Sequence, residues 1–111
     1  MQRKLPSSIT NQLANYPVFY RKVWLECFNI PRGETITYKE LAERLGNARS
    51  ARAVGNALAK NPFAPYIPCH RVIKSDGGIG GYSGPGGIKT KREFIKRELN
   101  ERMASDRKRP R

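Results

Sequence analysis

The chain is built around the stretch Asn61-Pro-Phe-Ala-Pro-Tyr-Ile-Pro-Cys-His-Arg-Val-Ile73. This stretch holds the only histidine, one of the two cysteines and three of the eight prolines in the 111-residue sequence. Because proline fixes φ and has no backbone N–H, the segment is stiff and is not the interior of a helix. Neighbours in an extended segment point to opposite faces. Cys69 and His70 therefore need a bend after Pro68, or a bridging water, to act together.

The dipeptide Cys69-His70 contains the two residue types from which an activated cysteine nucleophile is built. A cysteine with its ordinary pKa is mostly protonated at neutral pH, and a nearby histidine or cation favours the reactive thiolate. A Cys–His pair held by a third, orienting group is the general arrangement of a sulfur nucleophile. The alternative is a buried structural cysteine beside a histidine that bonds to the backbone. The dipeptide alone leaves both interpretations open.

Composition limits the class of protein. A chain of 111 residues has room for one small domain. The formal net charge of +13 predicts an anionic partner, nucleic acid before a membrane surface, and no apolar run reaches the length of a spanning helix. The start of the sequence has no apolar signal segment, so we expect a cytoplasmic, nucleoid-associated or nuclear protein with reduced cysteines. One histidine and two distant cysteines cannot supply a four-ligand zinc site, and we expect no metal.

The domain is predicted to occupy residues 17–103. Residues 1–16 are polar and are expected to form a loose arm with a short helical turn. Apolar side chains recur at helical spacing from Pro17 to Ile30, which predicts a core helix in which Cys27 is a small apolar filler. The basic run at residues 104–111 is predicted to be a disordered tail.

Two short helices are predicted next. Thr37 and Glu40 have the spacing of a capping box, so a helix begins there and ends near Gly46. Ser50 is the candidate cap of a second helix that continues to about Lys60. Two short helices joined by a glycine-containing turn predict a helix-turn-helix. With a small strand pair, the predicted fold class is mainly α with a small β element, winged-helix-like.

The outer face of the second helix is narrow and carries one long cation. Its members are Arg52, Gly55, Asn56 and Ala59. Such a face can approach the floor of a groove closely. Periodicity alone does not separate this interpretation from the plainer one, in which Arg52 is a solvated residue and Gly55 a close helix–helix contact.

The remaining segments predict a hairpin, a loop and a last helix. Short apolar runs on either side of Ser75–Gly78 are typical of a hairpin or wing. The glycine-rich residues 77–87 lack the Gly-Lys-Ser/Thr of a triphosphate loop and are expected to wrap a pocket. The last helix is predicted over Lys89/Thr90–Met103. Glu98 lies beside its apolar stripe, either pairing with Arg102 at i+4 or buried against another partner.

Several motifs in matching order resemble the O6-alkylguanine-DNA alkyltransferases, the methylated-DNA–protein-cysteine methyltransferases. The resemblance runs from about Val18 to Leu99 and covers the DNA-binding and active-site domain of that family. The matching motifs are Gly33-Glu34 before Tyr38, Ala51-Arg52-Ala53-Val54-Gly55, Asn61-Pro62, Ile67-Pro68-Cys69-His70-Arg71-Val72-Ile73 and Gly81-Tyr82-Ser83-Gly84. Related alkyltransferase-like proteins usually carry Trp in place of the cysteine, so Cys69 favours the reactive branch.

The resemblance implies that the chain binds double-stranded DNA containing O6-alkylguanine through the minor groove. Arg52 matches the arginine that fills the gap left by a flipped nucleotide, and Ala51, Gly55 and Asn56 lie on the same DNA-binding helix. Tyr38 matches the tyrosine that helps rotate the nucleotide out and then contacts the base. Flipping is required because a stacked base cannot present its O6 substituent to a sulfur nucleophile.

The resemblance also implies a catalytic set, a pocket and a single turnover. Glu98 orients His70, which acts through a water on Cys69. The thiolate takes the alkyl group from guanine O6, with Tyr38 helping to protonate the leaving base. No cofactor is implied, and a monomer is expected. The implied substrate-pocket residues are Asn61, Val72, Tyr82 and Ser83.

Two alternatives remain at this stage. The first is an alkyltransferase-like protein that recognises O6-alkylguanine and recruits another repair protein without transfer. The second, weaker alternative is a sequence-specific helix-turn-helix regulator. The helix face predicted at Ala51–Lys60 argues against the regulator, because it offers few side chains that can read major-groove base edges.

Overall fold

The structure is a computed structural model that describes residues 4–76, 78–82, 84 and 86–108, with side chains to residue 105. Within these residues the fold consists of five helices and a two-stranded sheet. In chain order they are α1 (Ser7–Leu13), α2 (Val18–Phe28), β1 (Ile36–Thr37), α3 (Tyr38–Arg44), α4 (Ala51–Ala59), β2 (Val72–Ile73) and α5 (Gly87–Lys108). Single turns of 3-10 helix lie at Ala48–Ser50 and Cys69–Arg71. The predicted fold class, mainly helical with a small β element, is confirmed.

The core lies between α2, α4 and the proline-rich segment that follows α4. Trp24 is fully buried, and its Nε1 donates a hydrogen bond to the carbonyl oxygen of Ala57 at 2.8 Å, which ties α2 to α4. Tyr16 and Phe63 meet the Trp24 ring edge-on, with centroid separations of 5.0 and 5.9 Å. Edge-to-face contacts of this kind stabilise aromatic clusters beyond the burial of their area. The cluster therefore holds the start of the proline-rich segment against α2.

The helix-turn-helix forms as predicted, with one difference at its second cap. The Glu40 backbone N–H donates to Thr37 Oγ1 at 3.0 Å, and the Thr37 N–H donates to Glu40 Oε1 at 3.3 Å, so the capping box of α3 is complete. Ser50 precedes α4, but its hydroxyl donates to the carbonyl oxygen of Asn47 at 2.7 Å and makes no cap. The 3-10 turn before α4 brings that carbonyl within reach, and the prediction of a Ser50 cap was wrong.

The predicted hairpin was wrong, because β2, which would have been its first strand, pairs with the distant strand β1 instead. Val72 of β2 lies opposite Ile36 of β1 in a parallel pair, and both side chains are buried. Ile79 lies outside any strand, although the Lys74 N–H donates to the Gly78 carbonyl oxygen at 2.9 Å and closes the turn. Pairing with β1 buries Val72 in the core, which a local hairpin would not do.

The two terminal helices are more extensive than predicted. α1 packs Ile9 and Leu13 into the core, so residues 7–13 are not a loose arm. α5 begins at Gly87 and ends at Lys108, beyond the predicted end at Met103, so residues 104–108 of the predicted disordered tail are helical. None of the helices in the described part of the chain is both long and apolar enough to cross a membrane.

Candidate active site

Cys69 lies at the start of the 3-10 turn, directly after a bend at Pro68. The bend has φ −82° and ψ 66°, and it is closed by a hydrogen bond from the Cys69 N–H to the Ile67 carbonyl oxygen at 2.8 Å. The Arg71 N–H donates to the Pro68 carbonyl oxygen at 2.9 Å and completes the turn. Of the two possibilities left open by the sequence, the bend is therefore present, and it turns both Cys69 and His70 into the protein, where each is buried.

His70 and Glu98 form a buried pair. His70 Nε2 lies 2.9 Å from Glu98 Oε2, and the two residues are 3% and 6% exposed. An ionised carboxylate only accepts hydrogen bonds, so Nε2 carries the proton and the lone pair of the neutral ring is on Nδ1. Nδ1 is buried and has no hydrogen-bond partner among the described residues. The Phe94 ring packs edge-on against the imidazole, with centroids 5.1 Å apart, and fixes its plane.

Arg71 holds Glu98 in place, a role that sequence reasoning missed. Its Nε donates to Glu98 Oε1 at 2.9 Å and its Nη2 donates to Glu98 Oε2 at 3.0 Å, while Nη1 donates to the Ile30 carbonyl oxygen at 2.7 Å. Burial alone would raise the pKa of Glu98, but the hydrogen bonds and charges of His70 and Arg71 lower it to about 2. The alternative pairing with Arg102 is wrong, since Arg102 Nη1 donates to the Gly33 carbonyl oxygen at 3.4 Å.

Cys69 forms part of the wall of a cavity of about 300 Å³. The cavity is lined by Tyr38, Gly55, Leu58, Ala59, Cys69, Gly81 and Tyr82. Burial raises the pKa of Tyr82 to about 12 and also raises that of Tyr38, with a smaller contribution from the nearby Cys69 in both cases. Both phenols therefore remain protonated at neutral pH and can donate hydrogen bonds into the cavity.

Lys91 is a second residue that sequence reasoning missed. It is fully buried, and its Nζ donates to the carbonyl oxygens of Val72 at 2.7 Å and Gly81 at 3.0 Å, which joins β2 to the glycine-rich loop. The ammonium also lies 5.7 Å from the centroid of the Tyr38 ring. Burial lowers the pKa of Lys91 to about 8, against the opposing influence of Cys69 and Cys27. Its position three residues before Phe94, on the buried face of α5, was the available signal.

Comparison with known proteins identifies the family. The profile described as "6-O-methylguanine DNA methyltransferase, DNA binding domain" matches residues 18–100, most of the chain. The chain belongs to the 6-O-methylguanine DNA methyltransferase family. The resemblance predicted from the sequence motifs is confirmed, and with it the assignment of the chain to a family of DNA repair methyltransferases.

Curated methyltransferase relatives are similar over one part of their length. Methylated-DNA–protein-cysteine methyltransferase of Methanothermobacter thermautotrophicus is 48% identical over 80 residues, covering 72% of this chain and 43% of the relative. The protein of the same name from Methanosarcina barkeri is 49% identical over 82 residues, covering 74% of this chain and 51% of the relative. The chain thus spans about half the length of these curated relatives.

Solved structures of methyltransferase relatives have the same fold. Mycobacterium tuberculosis OGT in complex with DNA aligns with a TM-score of 0.72 at 42% identity, over 77% of this chain and 51% of that one. S. pombe Atl1, in complex with damaged DNA containing O6-carboxymethylguanine, aligns with a TM-score of 0.55 at 35% identity, over 75% of this chain and 73% of that one.

The residues implied by the methyltransferase resemblance fall into two groups in the fold. Tyr38, Gly55, Cys69 and Tyr82 line one cavity, and His70 and Glu98 lie beside it. The other group lies away from the cavity wall. Arg52 and Asn56 are exposed on α4 and Ala51 is half-buried, so this face is open to a partner.

Asn61 and Val72, predicted as pocket residues, lie outside the cavity wall. Asn61 Nδ2 donates to the Ile67 carbonyl oxygen at 3.0 Å and its Oδ1 accepts from the Phe63 N–H at 2.9 Å, so its side chain braces the loop before Cys69. Neither Asn61 nor Val72 is among the residues that line the cavity. The predicted pocket residue Ser83 lies outside the described residues.

Proposed function

We propose that the chain repairs O6-alkylguanine in DNA by transferring the alkyl group to Cys69, once per molecule. The observation that carries this proposal is the position of Cys69 in the wall of a cavity, next to a buried His70–Glu98 pair. The printed name of its relatives, methylated-DNA–protein-cysteine methyltransferase, supports the same chemistry. No cofactor takes part in the proposed reaction.

The proposed transfer is a single displacement at the alkyl carbon. The thiol proton of Cys69 passes through a water to Nδ1 of His70. This nitrogen suits the role because it is buried and has no hydrogen-bond partner among the described residues. A bond forms between sulfur and the alkyl carbon while the bond from that carbon to O6 breaks, and its electron pair moves into the guanine. Tyr38 gives a proton to the guanine and regains one from solvent, so the products are a thioether and unmodified guanine.

Lys91 and Glu98 supply the charges that the displacement needs. The buried ammonium of Lys91 stabilises negative charge as the thiolate forms. The carboxylate of Glu98 stabilises the imidazolium that results, and Arg71 keeps that carboxylate ionised and oriented. Reaction at a thiol makes a stable thioether. Each molecule therefore reacts once.

Access to the cavity requires the target nucleotide to leave the duplex. We propose that α4 enters the minor groove, where Arg52 takes the place of the flipped base and Tyr38 contacts it. The exposed position of Arg52 and the location of Tyr38 in the cavity wall support these roles. A solved relative in complex with DNA supports the duplex as partner.

Intact-mass measurement after incubation with a duplex carrying one O6-methylguanine tests the proposal. We expect the mass to rise by one methyl group, the modification to map to Cys69, and the gain to disappear in Cys69→Ser. Because DNA affinity rests on basic residues and α4, Cys69→Ser should still bind the duplex. Methylation at Cys27, or at neither cysteine, would refute the proposed transfer.

A second candidate is recognition of the lesion without transfer. The similarity to S. pombe Atl1 favours this second candidate. The solved structure of Atl1 contains DNA with O6-carboxymethylguanine, and the alignment covers 73% of the Atl1 chain. This candidate predicts tight binding to the alkylated duplex, weaker binding to the unmodified duplex and an unchanged protein mass. The same incubation therefore separates the two candidates.

A further inference from the structure

A second cavity lies behind the active site. It has a volume of about 170 Å³ and is lined by Arg32, Pro65, His70, Arg71, Phe94, Arg97 and Glu98. Cys69 lines the cavity of about 300 Å³ described above, His70 lines this second one, and neither residue lines both. The second cavity therefore reaches the histidine from a side that the proposed transfer does not use. We call it the arginine cavity.

The charges around the arginine cavity are unbalanced. Three guanidinium groups and the carboxylate of Glu98 line it, and Glu101 pairs with Arg32 beside it, which leaves one net positive charge. Arg71 is buried and directs Nε, Nη1 and Nη2 to Glu98 and the Ile30 carbonyl oxygen. The charge of Arg71 is therefore matched by Glu98 and that of Arg32 by Glu101, so the excess belongs to Arg97.

Arg32 and Arg97 are placed to bind a ligand at the mouth of the cavity. The Arg32 side chain is 54% exposed; its Nε donates to Glu101 at 2.7 Å and its Nη1 lies 3.5 Å from Glu98 Oε2. Arg97 is exposed, with its guanidinium carbon 5.8 Å from the centroid of the Phe94 ring. Stacking on Phe94 restrains the guanidinium plane while leaving its N–H groups free to face outward.

We propose that the arginine cavity is a binding site for a small oxyanion of the phosphate type. A planar guanidinium presents paired N–H donors that match two oxygens of phosphate; Arg97 provides such a pair, and Arg32 adds the N–H groups that it does not direct to Glu101. Phosphate has enough oxygens to accept hydrogen bonds from both guanidinium groups at once, whereas a carboxylate such as acetate has two oxygens. A carboxylate is therefore expected to bind more weakly.

A bound oxyanion would act on the proposed transfer through His70, and this part of the inference rests on the proposed function. The charged groups around the imidazole are Glu98, Arg71, Arg32 and Arg97, with Glu101 paired to Arg32, Cys69 next in the chain and the Tyr82 ring 6.4 Å away between centroids. Three of these groups carry positive charge and two carry negative charge. An anion among them makes proton uptake easier, which moves the acidic limb of the pH–rate profile to higher pH.

Calorimetric titration of the whole chain with inorganic phosphate, against chloride of equal ionic strength, tests the site without any transfer reaction. We expect one millimolar site, weaker binding of acetate, loss of the site in Arg97→Gln and its partial retention in Arg97→Lys. Lys96→Gln is the matched control, because Lys96 is an exposed cation on the same helix outside the cavity. Equal weakening by Arg97→Gln and Lys96→Gln, or no saturable binding to the wild type, would overturn the site.

The pH–rate profile for reaction with the free base O6-methylguanine, which needs no DNA, tests the coupling. Phosphate is expected to shift the acidic midpoint upward by a few tenths of a pH unit in the wild type and in Lys96→Gln, and not in Arg97→Gln. Saturable phosphate binding with an unmoved midpoint would refute the coupling alone. Absence of any transfer would refute the proposed function while the calorimetric result stands.

Discussion

At the scale of single residues, Glu98 connects the stability of the fold to the proposed chemistry. Its carboxylate accepts hydrogen bonds from His70 and from two nitrogens of Arg71, and all three residues are buried. A buried carboxylate is tolerated only when such partners compensate for its lost hydration. Removal of this carboxylate should therefore affect both the orientation of the imidazole and the acid stability of the domain.

Replacement of Glu98 by Gln should remove a specific part of the acid sensitivity. The pKa of Glu98 is lowered from 4.5 to about 2, so between these pH values the unfolded chain binds more protons than the folded one. The stabilisation is complete above about pH 4.5 and is lost as the pH falls to about 2. The wild type should lose roughly 3 kcal/mol of unfolding free energy from this group, and Glu98→Gln none of it.

Urea unfolding of wild type and variant at about pH 6 and about pH 3 measures the part of this loss, roughly 2 kcal/mol, that falls between those two pH values. At the higher pH, Glu98→Gln should be the less stable protein, because Arg71 is left buried without its ion partner. Glu93→Gln, an exposed change on the same helix, is the control and should follow the wild type. An equal loss of unfolding free energy at low pH in all three proteins would contradict the attribution of this loss to Glu98.

Lys91, like Glu98, contributes both to the fold and to the proposed chemistry. Replacement by Met leaves the carbonyl oxygens of Val72 and Gly81 without their donor and removes the cation near Cys69. Transfer from the free base O6-methylguanine should slow by about tenfold or more. The wild-type rate should also fall as the pH rises through about 8, where the ammonium is lost, and Lys91→Met should not show this fall.

Stopped-flow or quench measurements of that rate across pH test the prediction for Lys91. The exposed neighbour Lys89→Met is the control and should behave as the wild type. A transfer rate of Lys91→Met equal to that of the wild type would exclude a role for this ammonium. The same decrease in rate above about pH 8 in the wild type and in Lys91→Met would also exclude it.

At the scale of elements, α4 has two faces with different tasks. Val54, Ala57 and Leu58 are buried in the core, while Arg52 and Asn56 are exposed. Gly55 lies between these faces in the cavity wall, and a Cβ there would come 3.9 Å from the Tyr38 ring, an ordinary contact. The helix thus brings an exposed cation and a cavity wall within one turn of each other, which suits base flipping.

Substitution of Arg52 by Ala should separate flipping from chemistry. Because Arg52 does not line the cavity, reaction with the free base should stay within about twofold of the wild type, whereas repair of O6-methylguanine in a duplex should slow by about tenfold or more. Parallel single-turnover rates on the two substrates measure this, and the free base serves as the internal control. Equal losses on both substrates would rule out the intercalating role.

At the scale of the whole molecule, the formal net charge of +13 should govern the proposed association with DNA. Neutralised phosphates release counterions, so affinity falls steeply with salt. We expect a plot of log affinity against log salt concentration to have a slope steeper than about −3, which corresponds to several phosphate contacts. Fluorescence anisotropy with an unmodified duplex measures the slope, and a flat response would contradict DNA as the partner.

The sequence predicted the local features of the fold because these depend on neighbouring residues. The capping box of Thr37 and Glu40 formed as its spacing predicted, and the bend after Pro68, one of the two possibilities that the sequence left open, is present. The hairpin at Ser75–Gly78 failed because strand pairing is decided by burial, and Val72 is buried more completely beside Ile36. The extent of α1 was underestimated because the core that receives Ile9 is assembled from distant segments.

The sequence by itself determined the helix-turn-helix and, through its motifs, the methyltransferase family, and it offered the bend after Pro68 as one of two possibilities. The caps, turns and individual motifs are each specified by residues that are close together in the sequence. The tertiary structure alone decided the support of the site: Arg71 on Glu98, Lys91 between β2 and the glycine-rich loop, and the arginine cavity behind His70. These contacts join residues far apart in sequence, and a buried charge finds its partner only when the core closes around both.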